Sequence, residues 1–275
     1  MTTAATARLR TLPRLAFLLA ALALTLGPVV WTVLTSLRPP DQALGSSFSL
    51  SGLSLDSYRA VFEQIDMWLL ILNSVLVTGL IALGQMTTAG LAGYVFARVP
   101  FRGRGALFSV ILATMMVPMQ VTIVPVFMLI RGMNLSDTLL ALILPALPTA
   151  FGTFLMRQHF MTLPHELGEA AAIDGASPWR TFRSIYAPLA APGLAIVGIL
   201  AFNFHWNEFF RPLIMTVSEE NFTLPLGLVS LQGNKGTGSV ATVLAGVVLS
   251  MIPALLVFVF GQRSLREGLT TGSNR

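Results

Sequence analysis

Six long apolar runs constrain this chain more than any other feature. They extend roughly over Leu15 to Leu37, Leu69 to Phe96, Ala106 to Ile130, Thr138 to Leu155, Pro188 to Ile214 and Val240 to Phe260. Each is long enough to cross about 30 Å of hydrocarbon at 1.5 Å per residue. A backbone inside lipid must satisfy its own amide groups, which leaves helices or a closed barrel. The runs are continuous rather than alternating, so they predict an all-α integral membrane protein with six transmembrane helices. Composition agrees: only 11% of the 275 residues are charged, against about 25% in a soluble domain. Too few polar side chains remain to cover a globule in water.

The first run follows Arg8, Arg10 and Arg14, a pattern shared with secretory signal peptides. Its 23 residues exceed the 7–15 apolar residues of a signal core, and Arg38-Pro39-Pro40 is a poor cleavage context. It is expected to be an uncleaved first span. Six spans place both termini on one side of the membrane. With the N-terminus inside, the inner segments hold twelve arginines: Arg8, Arg10, Arg14, Arg98, Arg102, Arg104, Arg157, Arg180, Arg183, Arg263, Arg266 and Arg275. The outer segments hold Arg38, Arg59, Arg131, Arg211 and Lys235. This asymmetry predicts an N-in, C-in multi-pass protein of a bacterial-type cell membrane. It also assigns the net charge of +5 to orientation in the bilayer and argues against a nucleic-acid partner.

Several spans contain residues that a passive anchor does not need. Pro28, Pro118, Pro125, Pro145, Pro148 and Pro253 each remove a backbone hydrogen bond and favour a kink. Gln85, Ala89, Gly93 and Ala97 recur four residues apart, a small-residue stripe that admits a close helix neighbour.

Between the fourth and fifth runs lies a polar stretch, residues 164–187, which the topology places in the cytoplasm. Pro164 suits the first position of a helix, with Glu166 and Glu169 near its positive end. That helix should stop at Asp174-Gly175, where glycine accepts a left-handed C-terminal cap. Ser177-Pro178 restarts the pattern as N-cap and N1, for a second helix from Trp179 to Tyr186 ending before Pro188. Leu167, Ala170, Ala171 and Asp174 have the spacing of one helical face, a shallow surface suited to a cleft in another protein.

This stretch resembles the EAA loop of bacterial ABC-importer permeases, the segment that seats on the cytoplasmic ATPase. The family pattern is EAA, three residues, Gly, nine residues, Ile, one residue, Leu-Pro. Glu169-Ala170-Ala171, Gly175, Ile185 and Pro188 fall at those spacings, with Ala187 in place of leucine, and Asp174 and Ala176 complete the AxxDGA form of sugar importers. Val117-Pro118, Gly152-Thr153-Phe154, Trp206-Asn207, Pro212-Leu213-Ile214, Thr223-Leu224-Pro225-Leu226 and the Gly268-Leu269-Thr270 tail extend the resemblance over a permease domain of roughly residues 69–262. The whole is similar to the carbohydrate-uptake, maltose-type branch, and to its six-span second permease subunit. The resemblance implies an ATPase-coupling role for Glu169, Ala170, Ala171, Asp174, Gly175 and Ala176. It implies as partners a nucleotide-binding ATPase dimer, a second permease subunit and an extracytoplasmic solute-binding protein. In that family the C-terminal tail can reach the ATPase; here Asn274-Arg275 replaces the usual Lys-Gly.

The chain has one lysine, Lys235, and no G-x-x-x-x-G-K-[ST] phosphate loop. ATP and Mg²⁺ are therefore expected on the partner ATPase, with no cofactor bound here. His159, His165 and His205 make no metal constellation with nearby carboxylates, and no nucleophile–base arrangement stands out, so no enzymatic role is expected. The main polar cluster within a span is Asn203, His205, Trp206, Asn207, Glu208 and Arg211. Trp206 could anchor at the membrane interface, with Glu208 paired to Arg211. Alternatively Asn203, Trp206, Asn207 and Glu208 could line a translocation path, since ionisable groups at membrane depth usually face an interior. An ion-coupled secondary transporter is the alternative function. It requires midplane carboxylates or inverted repeats, and the span middles lack Asp and Glu. The solute itself, a sugar or glycerol-3-phosphate, is not written in the sequence.

Overall fold

A computed structural model describes residues 3–42, 52–233 and 238–270; Lys235 and the terminal Asn274-Arg275 lie outside them. Among the described residues the regular elements are all helical. They are α1 (Thr3–Ser36), α2 (Asp56–Gln64), α3 (Met67–Arg98), α4 (Arg104–Thr114), α5 (Met119–Gly132), α6 (Leu139–Ile143) and α7 (Ala150–Thr162), followed by α8 (Glu166–Ile173), α9 (Pro178–Thr181), α10 (Ala187–Leu189), α11 (Ala191–Trp206), α12 (Phe210–Met215), α13 (Leu224–Gly227) and α14 (Val240–Thr270).

Three helical stretches are long and apolar enough to cross a membrane unaided: Arg14–Ser36, Met67–Arg98 and Val240–Gln262. They match the first, second and sixth expected spans. The remaining three are pairs of shorter helices, bent by 99° between α4 and α5, by 42° between Leu139–Ala146 and α7, and by 73° between Pro178–Leu189 and α11. The fifth run is thereby corrected. Its helix is α11, which ends at Trp206, and the expected continuation to Ile214 is a separate helix, α12. Proline alone does not place the breaks. Pro125 and Pro253 sit inside continuous helices, as does Pro28, because one missing N–H removes one ladder bond. At two of the breaks an extended residue accompanies the proline: Pro118 itself has ψ 138°, and Thr149 after Pro148 has φ −135° and ψ 117°. At the third, Ala190 is not extended, with φ −88° and ψ 0°.

The chain forms two compact units. The first comprises residues 1–67 and 228–251. There the Ser36 and Tyr58 hydroxyls lie 2.7 Å apart and the Ser57 hydroxyl donates to the Arg38 carbonyl at 2.6 Å, fastening α2 to the end of α1. Phe17 and Leu24 of α1 are 73% and 81% exposed, a surface compatible with hydrocarbon and costly in water.

The second unit, residues 68–227 and 252–275, contains both candidate sites. Its centre is a seam between α3 and α7, where the small-residue stripe works as expected. Ala89 lies against Gly152, and a Cβ on Gly93 would fall 2.5 Å from the Met156 Cβ and 2.8 Å from the Arg157 amide. Polar bonds close the seam along its length. The Gln85 amide donates to Ala146 O at 2.8 Å, Thr88 Oγ1 to Leu147 O at 2.8 Å, and Arg157 Nε to Phe96 O at 3.3 Å. Helix α11 packs on both partners through glycines, Gly198 against Met86 and Gly193 against the His159 ring.

A second fastening holds residues 216–224. Asp137 accepts from the Ser218 hydroxyl at 2.5 Å and from the Val217 and Ser218 amides at 2.9 and 3.0 Å. Asn73 donates to the Glu220 and Phe222 carbonyls. The Ser218 hydroxyl first, then the two amides, hold the Asp137 carboxyl down at about 2 from 3.8.

Two predictions follow from this packing. Gly93→Leu should lower the stability of the detergent-purified protein by at least the 1–3 kcal/mol typical of overpacking. Gly79→Leu, on the same helix with nothing within 4 Å of its Cβ position, should be tolerated in the same thermal-unfolding assay. For Asp137 the folded pKa is depressed, so its stabilisation is complete above about pH 4 and is lost as pH falls toward 2. Asp137→Asn should remove that acid-sensitive component, flattening the dependence of unfolding temperature on pH between 5 and 2.

Candidate functional site

The polar stretch after α7 folds as two helical pieces joined by the expected glycine turn. Gly175 has φ +73°, a region open to glycine and strained for other residues. Its N–H bonds to Ala172 O, and the Ala176 N–H to Ala171 O at 2.9 Å, closing the end of α8. The Ser177 side chain accepts from the Arg180 amide, with Pro178 in the first turn, as expected. Two details differ. The helix α8 begins at Glu166, after His165, rather than at Pro164. The second piece also does not stop before Pro188: α9 passes through a wider π-type turn at Phe182–Tyr186 into α10, which ends at Leu189. Proline in the first turn of α10 sacrifices no intrahelical donor.

The expected shared face of Leu167, Ala170, Ala171 and Asp174 is divided. Ala171 is buried, whereas Glu169, Ala170 and Asp174 are exposed. Gly168 explains the rotation, because a Cβ there would lie 2.9 Å from the Tyr186 hydroxyl. With Gly168 and Ala171 turned inward, Ala170 and Ile173 turn outward. Ile173 is 86% exposed and Trp179 59% exposed. Neither had been singled out from the sequence, where isolated apolar residues in a loop are unremarkable.

Arg98, at the end of α3, fixes this stretch to the bundle. Its guanidinium donates to Phe160 O at 2.5 Å and to Leu163 O, and lies 3.0 Å from His165 Nδ1. The carbonyls lie at the C-terminal end of α7, where a cation is favourable, and the Phe160 carbonyl also accepts from the Leu163 amide. The guanidinium also lies 5.1 Å from the centre of the Tyr186 ring, and Tyr94, Phe160, Phe182 and Tyr186 form an aromatic cluster with centroids 5.0–6.5 Å apart. Arg98 entered the sequence argument only as an orienting charge. A cleft of about 540 Å³ opens between the end of α3 and α8, with Glu169, Ala172 and Ala176 on its wall.

The polar cluster at the end of α11 is a buried chain of contacts. His205 Nδ1 lies 2.6 Å from Glu208 Oε2, and His205 Nε2 lies 3.1 Å from the Gln85 amide nitrogen. Because Gln85 Nε2 can only donate, the arrangement fits an imidazole that accepts at Nε2 and donates at Nδ1. Arg211 Nη2 is 3.0 Å from Glu208 Oε1, an ion pair rather than an aligned hydrogen bond. Its Nη1 donates to Leu142 O at 2.9 Å. The Glu208–Arg211 pairing expected from sequence is present, and Trp206 is 3% exposed and stacked on Phe202. Asn203 and Asn207 are exposed. Of the four proposed path residues, Asn203 lines a cavity of about 690 Å³, and Trp206, Asn207 and Glu208 do not. Gln85, Thr149 and Phe204 line it instead.

Comparison with known proteins places these features in a family. Residues 89–267 match the family described as binding-protein-dependent transport system inner membrane component. The chain is 34% identical, over 89% of each sequence, to the arabinooligosaccharides transport system permease protein of Halalkalibacterium halodurans. It is 36% identical, over 74% of this chain and 72% of the other, to the sn-glycerol-3-phosphate transport system permease protein of Salmonella choleraesuis. Its fold matches a bacterial ABC transporter involved in import of the acidic polysaccharide alginate, with a TM-score of 0.82 over 94% of this chain and 97% of that one at 24% identity. The chain therefore belongs to the binding-protein-dependent transport system inner membrane components, the permease subunits of ABC importers.

Proposed function

We propose that this permease moves a sugar or sugar-like solute into the cell, driven by a separate ATPase that seats on Glu169–Ala176. The observation that carries this reading is the construction of α8. A rigidly anchored helix, ended by a left-handed glycine, presents Glu169, Ala170 and Ile173 outward, with Trp179 of the following helix also exposed, while its inner side is pinned by Gly168, Tyr186 and Arg98. An exposed isoleucine beside a small alanine is a surface suited to a complementary groove. Asp174, Gly175 and Ala176 set where the helix ends, and Ala171 sets its inner packing.

In this reading the three long straight helices, the two bent pairs of α4 with α5 and of residues 139–146 with α7, and α11 make six passes with both termini inside, which puts residues 164–187 on the ATP side. Residues 1–275 act as one membrane domain. ATP and Mg²⁺ bind to the ATPase dimer, and closure of that dimer moves α8. A second permease subunit completes the path, and an external solute-binding protein delivers the cargo. The arabinooligosaccharide permease relative supports a carbohydrate, while the glycerol-3-phosphate relative keeps a phosphorylated polyol within the class. The ion-coupled transporter reading gains nothing from the structure. Glu208 is already paired with Arg211, and the family relationship points to ATP-driven import.

Ile173→Glu should reduce both copurification of the ATPase and ATP-driven uptake about tenfold or more, since an interface anchor is worth about 2 kcal/mol. Membrane insertion should be unchanged, and Ile173→Leu should retain most activity. Full uptake by Ile173→Glu, together with full uptake by Gly175→Pro/Glu169→Lys, would exclude this surface as the seat of the ATPase.

A further inference from the structure

Three helix interruptions of the second unit meet at one place, while the bend at Ala190 lies outside it. Thr114 and Met119 flank the break between α4 and α5, Ala146 and Thr149 the break before α7, and His205 and Arg211 the break between α11 and α12. All six line the 690 Å³ cavity. Irregular backbone at membrane depth persists where it is buried or where it lines a water-filled cavity, and discontinuous helices in transporters meet at their solute sites. Three breaks meeting at one cavity indicate a site rather than separate packing defects.

The wall has a definite chemistry. Gln85, Thr114, Thr149 and Asn203 supply amides and hydroxyls, and Phe151 and Phe204 supply aromatic faces. Arg211 is the one permanently charged residue on the wall, and its guanidinium is engaged by Glu208, by the Leu142 carbonyl and by the Met119 sulfur at 3.8 Å. Glu208 is held in turn by His205, which contacts Gln85. The pair carries no net charge, and the two guanidinium nitrogens already contact Glu208, the Leu142 carbonyl and the Met119 sulfur. Amides and hydroxyls bind hydroxyl groups, and aromatic faces bind the CH faces of sugar rings. A phosphate or carboxylate would find no uncompensated cation among the lining residues.

We propose that this cavity is a solute-contact site of this subunit, selective for an uncharged polyhydroxylated solute because Glu208 neutralises Arg211. The proposal rests on the importer reading and narrows its cargo, favouring a neutral saccharide over a phosphorylated polyol. Glu208 is a positioning and specificity-determining residue here, acting through Arg211 rather than by touching the solute.

The chain contains no cysteine, so single-cysteine variants give a clean test in the membrane-embedded complete importer. Asn203→Cys should react with water-soluble thiosulfonate reagents. Leu83→Cys, exposed on α3 about 200° around the helix from Gln85, should remain unlabelled. At Asn203→Cys the ratio of anionic to cationic labelling rates should match that of a free thiol within about threefold. Added Glu208→Gln should raise that ratio about tenfold by exposing a guanidinium, and added Arg211→Met should lower it by a similar factor. Absence of labelling at Asn203→Cys overturns the site. A preference for the anionic reagent without either charge variant, or a ratio that neither variant shifts, overturns the neutral wall. ATPase copurification from the same membranes reads the importer assignment independently, so its loss would fault that reading and not the cavity.

Discussion

The seam between α3 and α7 is the contact on which both candidate sites depend. Gly93 and Ala89 let the two backbones approach until the Met156 and Gly152 positions are in van der Waals contact. Lipid chains are as apolar as leucine, so close packing and interhelical hydrogen bonds hold such helices together. At one end of the seam Gln85 bonds to the Ala146 carbonyl and reaches His205 beside the cavity. At the other, Arg98 gathers the carbonyls of Phe160 and Leu163 and stacks on Tyr186 beneath α8. The same two helices thus support the cavity wall and the proposed ATPase seat. A displacement of α8 acts on the end of a packed pair rather than on a slack linker.

The breaks in the remaining spans follow from the need to satisfy backbone groups without water. Each interruption exposes amides and carbonyls that hydrocarbon cannot solvate. Side chains answer part of that need: the Thr149 hydroxyl accepts from the Gly152 amide, Gln85 takes the Ala146 carbonyl, and Arg211 takes the Leu142 carbonyl. Backbone groups at the breaks also bond to one another, as the Val117 amide does to Thr114 O and the Glu208 amide to His205 O. Arg211 would itself be costly there as a bare charge. Glu208 offsets that cost, leaving a wall that is polar and electrically neutral.

Much of this organisation was legible in the sequence. Run length and continuity identified an all-helical membrane chain, and the spacing of Gln85, Ala89 and Gly93 identified the face of α3 that meets a neighbour. Gly175 and Ser177-Pro178 marked the turn and restart of the polar stretch, because cap chemistry is local. The rotation of α8 was not legible, since it is set by the contact of Gly168 with Tyr186, eighteen residues later. Residue period alone could not exchange Ala171 for Ile173 on the outer face. Trp206 looked interfacial because tryptophan favours membrane interfaces, but its burial depends on partners brought together by the bend. Arg98 and Arg157 counted as orienting charges; their bonds to carbonyls across the seam needed the fold.

The central claim is that α8 is the surface on which the ATPase sits. Because the chain is naturally free of cysteine, a photo-crosslinker attached at Ile173→Cys reports the neighbour of that single position in the assembled importer. The account predicts a crosslink to the ATPase subunit whose yield changes when ATP binds, with none from Met161→Cys, an exposed position one residue before α7 ends. A crosslink only to lipid or to the second permease, in every nucleotide state, would contradict it.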